Sequence, residues 1–241
     1  MWSRFRKKKE ERVYLARAPR VHLNSLIHTE FTRRTPEPAK QMELSNISLT
    51  GLALTADSKA DRVRVGNFIF GDLVLGGAPA ISVKLEVMRS MGSMLGCRFN
   101  EPTSELRSRI LKYFEVEIAS GEFLPVPAGR LAQEKDGQPA WFTGENNCEL
   151  YLVTSGTKVV RFHLGLFANY VEGGEDLPLR FGKIVEDPIP EKPGHKGSSL
   201  IRPDENWGKE QLVMALRLVR QAAQLNPEHR KRLEELLNAS E

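Results

Sequence analysis

Apolar and polar residues alternate with a period of two along much of the first hundred positions. Val21, Leu23 and Ser25 alternate with His22 and Asn24, and Ile27 and Phe31 continue the run, so Val21 to Thr32 reads as a strand. Arg33 to Gln41, with Pro36 and Pro38, reads as a loop, and Arg33-Arg34 as a solvated pair within it. Met42 and Leu44, then Ile47, Leu49, Leu52 and Leu54, make a second strand whose phase changes near Ser45-Asn46. That change, with Gly51 following, predicts a bulge or bend. Val65 to Leu75 is one or two strands broken at Gly71-Asp72. Ile81, Val83, Leu85 and Val87 alternate with Ser82, Lys84, Glu86 and Met88 in the clearest half-buried strand of the chain. A turn at Ser90 to Ser93 leads to a short strand from Met94 to Phe99.

The period then changes. Pro102-Thr103-Ser104-Glu105 carries a hydroxyl cap and an early acid, and Leu106, Ile110, Tyr113 and Phe114 share one face at helical spacing. Antiparallel strands followed by one amphipathic helix predict a small barrel plugged or flanked by that helix. Gly121 to Gly137 has linker composition. Cys148 to Val153 and Lys158 to Phe167 flank Thr154-Ser155-Gly156-Thr157 as a hairpin, and Leu179 to Val185 adds a third strand. Trp141, Phe162, Phe167 and Tyr170 are expected in the core of this second region. Asp187 to Pro203 again reads as a linker. Trp207 to Leu225 is helical, with Leu212, Leu216, Val219 and Ala223 on one stripe. Asn226-Pro227 then stops and restarts the chain into a last helix, His229 to Leu237. The fold class is therefore mainly β: an antiparallel β-barrel with a helix at its end, then a smaller α+β region closing on two helices.

Composition narrows this little. The 241 residues are 40% hydrophobic and 27% charged, as in a globular protein. No apolar run approaches the roughly 18–20 residues that cross a bilayer, and no signal peptide is evident, so a cytoplasmic location is expected. Cys97 and Cys148 lack metal-ligand spacing and read as buried thiols. The five histidines show no metal spacing either. Charge is more informative. The first 20 residues hold eight Lys and Arg against Glu10 and Glu11, a net +6 within a chain of +4, which leaves −2 for the rest. Such an arm attracts anions.

Among the motifs, no Gly-rich phosphate loop with lysine, Cys/His cluster or Gly-x-Ser-x-Gly elbow is present, and the chain reads as a binding protein rather than an enzyme. Asn46-Ile47-Ser48-Leu49-Thr50-Gly51 lies on the second strand. Asn46 and Ser48, two apart, present an amide and a hydroxyl on one face, and Gly51 permits a bend or a close backbone approach. About two dozen residues earlier, Arg17 and Arg20 supply guanidinium forks. Such forks match phosphate oxygens or the N7 and O6 acceptors of guanine bidentately, and they stack on purines.

This pairing of an Asn-x-Ser-x-x-Gly strand with upstream arginines resembles the PilZ domain, whose motifs are Arg-x-x-x-Arg and Asp/Asn-x-Ser-x-x-Gly. The first motif here is Arg17-x-x-Arg20, one residue shorter. Gly96-Cys97-Arg98-Phe99 and the helix after it resemble the end of the same domain, so the likeness covers about residues 10–118. It implies a bacterial receptor for cyclic-di-GMP, bound by Arg17, Arg20, Asn46, Ser48 and Gly51, with no cofactor. The expected organisation is a basic arm (1–11), the barrel (12–118), a linker (119–138), a β-rich second domain (139–186), a linker (187–206) and terminal helices (207–241). The arginine segment closes over the ligand, and the C-terminal part relays the signal to a protein partner. The alternative is a ligand-free adaptor of the same fold, acting in motility or polysaccharide export. Nucleic-acid binding through the arm is disfavoured, since no aromatic-basic pattern accompanies it.

Overall fold

The strands inferred from alternation pair into a single curled sheet. The computed structural model describes residues 19–35, 38–57, 61–146, 148–185, 200–203 and 209–239; the basic arm and Arg17 lie outside them. The strands are β1 (Val21–His22), β2 (Thr29–Thr35), β3 (Lys40–Met42), β4 (Leu44–Ser48), β5 (Gly51–Thr55), β6 (Phe68–Leu75), β7 (Ile81–Met91) and β8 (Met94–Phe99). All neighbours are antiparallel, in the order β1-β4-β5-β8-β7-β6-β2-β3. Only Glu43 separates β3 from β4. One stretch of chain thus pairs with β2 at one end of the sheet and with β1 and β5 at the other, which curls the sheet into a half-barrel. Phe31, Ile47, Leu54, Ile69, Leu85 and Leu95 fill its interior. Helix α1 (Ser104–Tyr113) adds Leu106 and Ile110, and Phe114 follows them into the same core. As the sequence indicates, Thr103 caps α1, its hydroxyl accepting from the Leu106 amide at 3.1 Å.

Several boundaries differ from the sequence reading, each for a local reason. Val21 to Thr32 is not one strand: the Asn24 side chain accepts from the Leu26 amide and its carbonyl from the Ile27 amide, a turn that separates β1 from β2. β2 runs on to Thr35, through the segment read as a loop. Arg33 is consequently buried, with Asp61 at 3.6 Å, instead of solvated. Arg34, on the other face, pairs with Asp72. Met42 to Leu54 is not one strand either but the β4–β5 hairpin, turning at Leu49-Thr50. The phase change near Ser45 is a true bulge, since Leu44 faces Leu54 while Asn46 faces Ala53. β6 passes Gly71 unbroken. A Cβ there would lie 2.4 Å from the Phe31 ring, so the glycine makes room for a core aromatic.

The second half is a seven-stranded antiparallel meander. Its strands are β9 (Leu124–Pro125), β10 (Gln138–Thr143), β11 (Glu149–Ser155), β12 (Lys158–Leu166), β13 (Asn169–Gly174), β14 (Leu177–Val185) and β15 (Leu200–Pro203). β9 and β15 form its borders. One face buries Leu150, Phe162 and Leu164 against α2 (Glu115–Gly121), α3 (Lys209–Gln221) and α4 (Pro227–Asn238). Asn226 caps α4, as its sequence requires, with its side chain accepting from the Glu228 amide. The segments read as linkers hold β9 and β15, and Phe123, 1% exposed, anchors the first of them in the second core. Trp141 is not in that core; it lies on the opposite face, where its indole donates to Glu149 at 3.2 Å.

α2 and α3 join the two halves. Arg217 on α3 holds the fully buried Glu117 carboxylate of α2 through two hydrogen bonds of 2.5 and 2.7 Å, and donates at 2.8 Å to the Tyr113 carbonyl. Leu218 O accepts from the Ser120 hydroxyl at 2.7 Å. Among the described residues, no helix is long and apolar enough to cross a membrane.

Candidate functional site

Arg20 precedes β1, where Val21 faces Ile47 and His22 faces Asn46. That register carries the arginine into the sheet beside Ser48. Arg20, Asn46, Ser48 and Gly51 border one cleft of about 280 Å³ on the outer surface of the half-barrel. Four residue positions singled out from sequence therefore meet at one place. The fifth, Arg17, lies outside the described residues.

The cleft has a flat floor. Gly51 faces Arg98 and Ala53 faces Gly96 across β5 and β8, so the outward positions between Asn46 and Arg98 carry almost no side chain. A planar group can lie close to this backbone. Gly51 is also required by packing, since a Cβ there would lie 2.1 Å from the Cys97 carbonyl oxygen.

Asn46 and Ser48 differ in what they leave free. The Ser48 hydroxyl donates to the Gly51 carbonyl at 3.1 Å, accepts from the Thr50 amide at 3.3 Å and sits 3.2 Å from the Thr50 hydroxyl. It ties a two-residue hairpin in which neither Leu49 nor Thr50 adopts the positive φ that such turns favour. Ser48 is thus a turn-forming residue that also borders the cleft. The Asn46 side chain lines the cleft and has no hydrogen-bond partner among the described residues.

Sequence reasoning missed the far wall, made by Met88, Arg89 and Arg98. Arg98 is held by Glu86 at 2.6 Å with its side chain 57% exposed. Arg89 leans over Gly96, where a Cβ would meet its Cγ at 2.9 Å. Alternation along Gly96-Cys97-Arg98 could have placed Arg98 outward. Arg89 reaches the cleft only because β7 bulges between Val87 and Arg89, which no pattern signals. Arg20, Arg89 and Arg98 surround one depression with Glu86 at its margin, a field suited to a polyanion. Cys97 also touches the cleft, but burial pushes its thiol up to about 12, so it stays protonated and unreactive at neutral pH.

The arginine segment is tied to the other half of the chain. The Arg20 carbonyl accepts from Gln221 of α3 at 3.1 Å, and Arg220 reaches the Ser25 hydroxyl at 3.5 Å.

Residues 9–115 match the family model of the PilZ domain. No curated protein matches the chain. Among solved structures, the complex of K. pneumonia MrkH with c-di-GMP is similar at 21% identity and TM-score 0.35, covering 42% of this chain and 51% of that one. The chain thus spans about half the length of that neighbour. The PilZ domain of CeSA from a cellulose-synthesizing bacterium is 15% identical at TM-score 0.33, covering 42% of this chain and 99% of that one. The Borreliella burgdorferi PlzA protein in complex with c-di-GMP is 14% identical at TM-score 0.30, covering 84% of this chain and 93% of that one.

Proposed function

With a PilZ domain at residues 9–115 as the premise, we propose that the chain is a bacterial cytoplasmic receptor for cyclic-di-GMP and acts by binding, not catalysis. The carrying observation is that Arg20, from the entering segment, borders the same cleft as Asn46, Ser48 and Gly51. The ligand carries two phosphates and two guanines. The guanidinium of Arg20 pairs with a phosphate or with a guanine N7/O6 edge, and Arg17, three residues upstream, is the second fork of this reading. Asn46 offers its free amide to a base or phosphate. The floor at Gly51, Ala53 and Gly96 lets a purine plane approach the sheet.

Ligand binding engages the arginines ahead of β1 and, through the Arg20 carbonyl, alters the footing of α3. The C-terminal part then presents a changed surface to a protein partner. In this organisation 1–11 is a basic arm, 12–118 the receptor domain and 139–186 with 207–241 the output region. Calorimetry on the full chain tests the reading. Cyclic-di-GMP binds, and Arg20→Ala and Asn46→Ala each weaken it at least about tenfold, the scale of a lost charge-assisted hydrogen bond. Unchanged affinity in both variants rejects the site.

One observation favours a second reading, a ligand-free adaptor. The Ser48 hydroxyl is already engaged in the hairpin and Arg98 is already paired with Glu86. A flat titration with cyclic-di-GMP, together with a partner whose binding requires residues 207–238, supports that reading instead.

A further inference from the structure

Exposed apolar side chains are unevenly distributed. Ten large hydrophobic residues are exposed among the described residues, and six of them, Val65, Phe68, Phe70, Met88, Met91 and Met94, belong to β6, β7, β8 and the loop entering β6. The loop is fixed to the sheet, since the Gly66 amide donates to the Val87 carbonyl and the Val87 amide to the Asn67 carbonyl. Phe68 faces Glu86, Phe70 faces Lys84 and Met91 faces Met94, so these residues lie across neighbouring strands of one surface. Isolated exposed hydrophobics need no explanation; a concentration of this kind marks a contact surface. Three of the six are methionines, whose flexible thioethers suit surfaces that adapt to a partner.

The rim is cationic. Lys84, Arg89 and Arg98 border the patch and Arg64 precedes Val65, while the acids on this face are already taken: Glu86 by Arg98 at 2.6 Å, and Asp72, two residues beyond Phe70, by Arg34. The Lys84 ammonium sits 4.2 Å above the Phe68 ring and 5.8 Å from that of Phe70, on ring faces rather than on a carboxylate. The mode of docking is also constrained. β6, β7 and β8 are interior strands with paired neighbours on both sides, so no further strand can add there through its backbone. Side chains alone make the contact. From β6 to β8 the surface spans about 10 Å at the usual strand spacing, close to the roughly 10–12 Å width of a helix with its side chains.

We infer that the outer face of β6–β7–β8 docks an acidic amphipathic helix of a partner protein, its apolar stripe on Phe68, Phe70 and the methionines and its carboxylates on Lys84 and Arg64. The surface shares Met88, Arg89 and Arg98 with the wall of the arginine cleft, while Phe68, Phe70, Met91, Met94, Lys84 and Arg64 lie outside it. It also lies on the opposite half of the chain from the terminal helices.

The test is selection of a displayed random-peptide library on the full chain, followed by fluorescence anisotropy of the recovered peptides. Acidic sequences with apolar residues spaced i, i+3/i+4, i+7 are enriched. The double variant Phe68→Ser, Met91→Ser weakens their binding at least tenfold, and Lys84→Glu with Arg64→Glu does the same. Circular dichroism melting confirms that the variants fold, and cyclic-di-GMP titration is unaltered, since none of these residues borders the cleft. The proposal is overturned if no peptide is recovered, if the recovered peptides are not acidic, or if they bind both double variants as well as the parent chain. Binding of phosphatidylglycerol vesicles that these variants abolish, with no peptide selected, points instead to a membrane surface and equally overturns it. So does concentration-dependent dimerisation lost in Phe68→Ser, which identifies a second copy as the occupant.

Discussion

The Gln221 side chain donates to the main-chain carbonyl of Arg20 at 3.1 Å, across 201 positions of sequence. Arg20 borders the cleft, and its carbonyl is held by α3. Gln221→Ala removes one exposed hydrogen bond, worth about 0.5–1.5 kcal/mol, and leaves the cleft intact. Cyclic-di-GMP affinity is expected to change less than about threefold, within that free-energy range. On the proposed relay, cyclic-di-GMP is expected to alter amide hydrogen exchange along α3 in the parent chain, and this response is expected to shrink in Gln221→Ala. Equal responses in both proteins would show that the hydrogen bond carries no signal.

Arg217 and Glu117 are a buried pair in which the carboxylate has no exposed surface. Arg217→Met leaves Glu117 uncompensated and is expected to cost about 3–5 kcal/mol. The double variant with Glu117→Leu recovers much of that loss, because neither charge is then stranded. Urea denaturation of the three proteins measures both effects.

Gly51→Ala places a Cβ against the Cys97 carbonyl. The clash involves backbone on both sides, so β5 and β8 must separate, at about 1–3 kcal/mol or more. Gly129→Ala, where nothing lies within 4 Å and φ is not positive, serves as the control and stays within about 0.5 kcal/mol. Comparable losses at both positions would refute the packing role of Gly51.

His163 lies between the rings of Tyr151 and Tyr170 at 5.8 and 5.9 Å. Burial lowers its pKa below the ordinary histidine range; Glu172, Glu149 and Glu134 oppose that shift, and Arg161 adds to it. In the unfolded chain the imidazole takes up its proton near pH 6.5, before the folded protein does. Its contribution to stability is therefore complete above about pH 6.5 and is lost as pH falls through the lower folded value. His163→Gln should flatten the stability–pH curve in that window, measured by thermal melting between pH 5 and 8.

The alternation of Ile81 to Val87 with Ser82 to Met88 specified β7, because one face is buried and the other solvated. The caps at Thr103 and Asn226 were legible for the same kind of reason: both act within three residues. Arg33 was misread because burial depends on Asp61, which is remote in sequence, and the turn at Asn24 was missed because it rests on one residue, whose side chain and main-chain carbonyl each accept one hydrogen bond inside an otherwise alternating run. At the cleft, Arg20, Asn46, Ser48 and Gly51 were found from motif chemistry, but the division of Ser48 and Gly51 between two strands was not. β10 and β13 went unread. β10 begins with Gln138-Pro139 and β13 ends with Gly173-Gly174, residues that break the alternating pattern a strand is recognised by.

The two borders of the second sheet each contain a proline, Pro125 in β9 and Pro203 in β15. Proline has no amide hydrogen to offer, and β9 is only two residues long. A foreign chain trying to template itself onto either margin finds an interrupted row of donors. Each margin is thereby a poor template for fibrillar stacking, through its own backbone chemistry.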